Sequence, residues 1–114
     1  MEIINMTPHA VTLMDNENTI IKVVAPAGMT IRLTQETEVV GSLDGIPLTR
    51  TKYGDPLVVS EEGTSAMPAV EEGVYYVVSA MVKNALPERA DFLVPAEQVR
   101  DEAGRVIGCR SLGV

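Results

Sequence analysis

Val74-Tyr75-Tyr76-Val77-Val78 has no polar face, and it runs straight into a helix-type stretch at Ser79. Side chains on a strand alternate between two faces, so a strand apolar on both must be covered on both. That requirement puts Val74–Val78 in the middle of a sheet. Ala80–Leu86 follows as a short helix with Met81, Val82, Ala85 and Leu86 available for packing, and Pro87 ends it. Asp91–Val94 reads as a second buried strand.

The remaining β-type runs are joined by turn chemistry. Ala10–Met14 and Thr19–Val24 flank Asp15-Asn16-Glu17-Asn18 and read as a hairpin. After a turn at Pro26-Ala27-Gly28, the run Met29–Thr34 alternates, with Met29, Ile31 and Leu33 facing one way. Glu38–Leu43 and Ile46–Lys52 form a second hairpin around Asp44-Gly45, and Pro47 places its strand near an edge. Residues 53–73 carry the weakest regular signal and read as an irregular surface loop, apart from a short run at Leu57–Val59. Val99–Asp101 and Arg105–Cys109 flank a tight turn in which Gly104 takes positive φ. The expected fold is a β-rich α+β single domain over residues 1–114, with one or two short helices; a partly closed barrel satisfies the pattern.

Bulk properties exclude several classes. The chain has 114 residues, of which 46% are hydrophobic and 22% charged, which suits one folded core rather than disorder. No apolar run approaches the ~20 residues of a membrane helix. Glu2 stands where a signal peptide would carry positive charge. The single cysteine, Cys109, has no internal partner, so a reducing cytoplasm is the expected setting. The net charge of −7 and the lack of a Lys/Arg run argue against nucleic acid as a partner.

The basic residues are unevenly placed. Lys83, Arg89, Arg100, Arg105 and Arg110 are five of the nine, all in the last third. Arg89, Arg100 and Arg105 are candidates to neutralise an anion, since guanidinium binds phosphate bidentately. Surface pairing with Glu88, Asp91, Asp101 and Glu102 is the bland alternative. Ser79 reads as a helix N-cap whose neighbouring N–H groups could instead meet a phosphate. Tyr75 or Tyr76 could stack on a base. His9, the one histidine, suits a hydrogen bond to a ligand or backbone oxygen. One His with one Cys makes no metal site by spacing. Nucleophile motifs are missing, so neither catalysis nor a cofactor is expected.

Asn5-Met6-Thr7-Pro8-His9-Ala10-Val11 resembles the Asn-Leu-Thr-Pro-His opening of a group of small proteins encoded by phages and prophages. Asp91–Pro95, Val99-Arg100-Asp101 and Gly104–Arg110 resemble the closing segment of the same group. Together these segments cover roughly a third of the chain, with Met6 in place of the usual Leu. The resemblance implies a phage-type accessory protein in the cytoplasm of a bacterial host. Phage proteins of this size include sponges that sequester nucleotide signals.

The leading expectation is therefore a non-catalytic anti-defence sponge. It would bind a phosphorylated nucleotide-derived signal through Ser79, Arg89, Arg100, Arg105, Tyr75, Tyr76 and His9. The alternative is a β-rich interaction or structural module with no small-molecule ligand and an exposed apolar or acidic patch. Apolar edges such as Ile46–Thr51 suit a homo-oligomer in either case.

Overall fold

A computed structural model describes residues Met1–Val114 as nine strands and one helix. In chain order these are β1 (Glu2–Asn5), β2 (Val11–Met14), β3 (Ile20–Val24), β4 (Met29–Leu43), β5 (Ile46–Ser60), β6 (Gly63–Ser65), β7 (Val74–Val77), α1 (Ala80–Ala85), β8 (Phe92–Arg100) and β9 (Val106–Gly113). Six strands make one mixed sheet in the order β1-β7-β8-β9-β2-β3, and β4-β5-β6 make a second. β7 lies between β1 and β8, parallel to both. β8 and β9 are an antiparallel hairpin, β9 runs parallel to β2, and β2 and β3 are antiparallel.

The central position of β7 explains its apolar faces. Tyr76 points into a core with Met6, Ile31, Val58, Val78, Val82 and Phe92, which joins the sheet to α1 and to the roots of β4 and β5. Val77 points the other way, into a core with Val11, Val24 and Cys109. Phe92, Val77 and Val78 are fully buried, and each such side chain contributes about 1.5–3 kcal/mol. Tyr76 and Phe92 meet edge to face, with ring centroids 6.1 Å apart.

The six-stranded sheet curls until its outer strands meet at one end. An isolated parallel bridge joins Asn5 to Pro26, and the Ala27 N–H donates to the Asn5 carbonyl at 2.9 Å. The contact is a single bridge rather than a ladder, so the sheet is strongly curled but not closed.

β4 and β5 pair along almost their whole length, from Met29–Ser60 to Leu43–Ile46. Only the root touches the body. Every residue from 34 to 55 is exposed, so the hairpin projects as an arm about 30 Å long. The extents are 53 × 38 × 27 Å and the radius of gyration is 17.2 Å, against about 13 Å for a compact chain of this length.

The arm corrects the reading of residues 53–73 as a loop. Tyr53–Ser60 continues β5, and Gly63–Ser65 adds β6 beside Val58–Ser60. Gly54-Asp55-Pro56 has turn composition but forms a bulge, where the register shifts between Leu33 and Gln35. Irregular backbone is confined to residues 66–73.

Candidate functional site

Ser79 stands where β7 passes into α1. Its backbone is extended (φ −71°, ψ 157°), and its hydroxyl accepts from the Val82 N–H at 3.3 Å. This is the N-cap expected from sequence. Two hollows meet at this residue. One is a cleft of about 230 Å³ between α1 and the arm root, where Ser79 is joined by Thr7, Thr30, Arg32 and Gln35. The other is an open cavity of about 670 Å³ on the curled sheet. Its wall is largely apolar, with Val11, Val94, Pro95, Val106 and Ile107, and its polar groups include His9, Thr12, Ser79 and Gln98. No Lys, Arg, Asp or Glu lines that cavity.

The seven residues singled out from sequence do not form one site. His9 and Ser79 share the larger cavity. Arg89 is committed elsewhere: Nε and Nη2 donate to the two Asp91 carboxylate oxygens at 2.9 and 2.8 Å. Its guanidinium also lies 4.4 Å from the Phe92 ring centroid. The Asp91 carboxyl is held below the usual carboxylate range, chiefly by the hydrogen bonds from Arg89. Tyr76 is buried against Phe92, and burial together with the nearby Asp91 charge pushes its phenol up. Tyr75 is half-buried on the strand between Ile3 and the next sheet neighbour, and lines neither hollow.

Arg100 and Arg105 sit at the β8–β9 turn. Arg100 Nη1 donates to the Gly104 carbonyl at 2.9 Å, and Arg105 Nε donates to Asp101 Oδ2 at 3.2 Å. Asp101 Oδ1 also accepts the Ala103 and Arg105 N–H groups, both at 2.9 Å, so this turn is built from its own side chains. Gly104 has φ +82°, as its turn requires. Cys109 is buried in the cavity wall, and burial pushes its thiol up. That makes it a poor nucleophile.

Two features went unread in the sequence. Arg32 is the basic side chain that shares a cleft with Ser79; nothing local marks it. The other is Asn5, which is 1% exposed. Its amide nitrogen donates to the carbonyls of His9 (2.7 Å) and Val24 (3.1 Å). Its Oδ1 accepts from the Thr7 N–H (3.0 Å) and hydroxyl (2.6 Å). The Asn-x-Thr-Pro-His stretch is therefore a clasp. It ties β1 to β3 and turns the chain into β2, using the His9 backbone and leaving the imidazole free at the cavity.

The arm carries a run of uncovered apolar side chains. Register and strand alternation put Glu36–Lys52, Glu38–Arg50, Gly41–Leu48 and Leu43–Ile46 on one face. Opposite charges face each other near the root, where Lys52 also reaches Glu38 at 3.7 Å. At the tip, Leu43, Ile46 and Leu48 are 62%, 64% and 46% exposed. Val39, Val40 and Tyr53 add further uncovered surface. No helix is long and apolar enough to cross a membrane. No group of three or more His, Cys, Asp or Glu side chains converges. No protein-family model, curated protein or solved structure matches this chain.

Proposed function

We propose that this protein is a non-catalytic, phage-type interaction module that docks through its β4–β5 arm. The observation that carries this is the arm itself: residues 34–55 are all exposed, yet the tip holds Leu43, Ile46 and Leu48 together on one face. Contiguous apolar surface on a soluble domain marks a contact site. The paired charges along the shaft blunt the unpaired strand edges and leave the tip as the adhesive part. A photo-crosslinking residue placed at Ile46 in expressing cells tests this. We expect a discrete adduct at Ile46 and none at Glu62, an exposed body position. Equal labelling at both positions, or none at Ile46, overturns the reading.

A second reading is capture of a nucleotide-derived anion. It is supported by the two hollows that meet at Ser79, with Arg32 in one and His9 at the other. On this reading Arg32→Ala abolishes calorimetric heat with cyclic dinucleotides or ADP-ribose isomers, whereas Arg100→Ala and Arg105→Ala leave it unchanged. Absence of heat for the wild-type protein across the panel removes it.

A further inference from the structure

We infer that the occupant of the arm tip is a second copy of this chain, whose open cavity receives Leu43, Ile46 and Leu48. The inference rests on the docking reading above and names its partner.

Three observations favour a second copy. The first is chemical match. The tip from Val39 to Thr49 holds a single charge, Asp44. The receiving cavity is lined by no carboxylate, ammonium or guanidinium, and His9 is its exposed ionisable group. Apolar side chains enter without stripping water from an ion, and the one tip carboxylate, Asp44, finds no carboxylate opposite it.

The second is area. On the tip face Leu43, Ile46 and Leu48 are 62%, 64% and 46% exposed, and Val39, Val40 and Tyr53 leave further apolar surface uncovered around the arm, so an arm enclosed by a neighbour removes from water apolar surface that the single chain cannot cover. The half-exposed Val106 and Ile107 at the cavity add to it from the receiving side. When each copy both gives an arm and receives one, every protomer contributes both surfaces.

The third is reach. The arm is one continuous ladder of paired strands, and its root already packs beside α1, next to the cavity. Folding the tip back onto its own cavity would break that ladder. Extended, it spans about 30 Å, enough to cross a neighbouring body. The cavity can thus be filled by an arm only between copies.

Two measurements on purified full-length protein decide the matter. At about 20 µM, well above the ~1 µM weak end of standard-size interfaces, sedimentation should give wild-type mass at least twice the 12.2 kDa chain. Leu43→Glu with Ile46→Glu should sediment as the single chain. Next, with the cavity-wall Cys109 replaced by Ala in every copy, an Ile46→Cys copy mixed with a Val106→Cys copy should form a disulfide-linked dimer under mild oxidation, while Ile46→Cys with Glu62→Cys should not. A single-chain mass for wild type, assembly that survives the double glutamate variant, or equal linkage in the control pair each overturns the inference. If Ile46 captures a different protein in cells while the purified chain stays single, the second-copy inference fails and the docking reading stands. If Ile46 captures nothing, both fail.

Discussion

Arg89 grips Asp91 with two nearly parallel hydrogen bonds of 2.9 and 2.8 Å, and both side chains are largely buried, at 15% and 6% exposure. The pair sits where β8 begins, with the guanidinium over Phe92 and Lys83 Nζ donating to the Arg89 carbonyl at 3.0 Å. Removing one partner strands the other charge in a low-dielectric site. Arg89→Ala should therefore cost about 3 kcal/mol and lower Tm by roughly 10 °C. Thermal unfolding at pH 7 checks this; a Tm within 2 °C of wild type, against that ~10 °C, would show that the pair is dispensable.

The same pair sets an acid limb. The Asp91 carboxyl titrates lower in the folded chain than in the unfolded one, chiefly because Arg89 donates to it. Its contribution is therefore fully present above the ordinary carboxylate range and is lost as pH falls through the folded value. Asp91→Asn should be less stable than wild type at neutral pH, and the gap should close under acid. Urea unfolding of both proteins at stepped pH reads it directly. A gap that stays constant down to the acid limb contradicts the assignment.

Asn5 should be a stability residue rather than a binding one. Asn5→Ala removes the amide donor from the buried Val24 carbonyl, at about 1–3 kcal/mol, while the His9 carbonyl keeps the Thr7 hydroxyl at 3.0 Å. Asn5→Asp should be worse, because a carboxylate would face those two carbonyl oxygens. Denaturant midpoints give the ranking wild type, then Ala, then Asp. Asp equal to wild type would mean that the clasp does not hold the sheet edges together.

Two glycines should fail for different reasons. At Gly104 a Cβ meets nothing within 4 Å, so Gly104→Val carries only the strain of positive φ, about 1–2 kcal/mol. At Gly108 a Cβ would lie 2.6 Å from Met14 Sδ and 2.9 Å from the Thr12 carbonyl oxygen. Gly108→Ala must push β9 away from β2, at a cost of about 1–3 kcal/mol. Gly108→Ala should also change the amide spectrum of β2, whereas Gly104→Val should perturb only its own turn. Matching spectral changes from the two variants would contradict the close β2–β9 approach.

The arm tip should contribute nothing to the fold of one chain, since its side chains touch only each other. Leu43→Glu with Ile46→Glu should keep the unfolding free energy measured at low protein concentration within about 0.5 kcal/mol of wild type. Wild-type Tm should rise with protein concentration, because association stabilises by mass action, and the variant's should not. A wild-type Tm independent of concentration argues that the tip is unoccupied.

What the sequence determined by itself is local. The two apolar faces of Val74–Val78 required cover on both sides, and the fold provides it with one core on each face. Ser79 before a helix former, Asp44-Gly45 between β runs, and Gly104 in a short turn each express a backbone preference that acts over a few residues. Tertiary structure decided everything that depends on which distant segments meet. Pro47 and the apolar run Ile46–Thr51 read as an edge in the sequence, but that Leu43, Ile46 and Leu48 stand at the tip of an arm clear of the body follows only from the long β4–β5 pairing. Gly54-Asp55-Pro56 has the chemistry of a turn, but pairing with β4 over a long register carries the strand through it as a bulge. Arg89 had a candidate ligand role until the fold placed Asp91 and Phe92 against it. Asn5 reaches the Val24 carbonyl only because the sheet curls and brings β3 beside β1. Turn and capping preferences are short-range energies written at each position, whereas burial and pairing are properties of a contact. A contact has no value until both of its sides are in place.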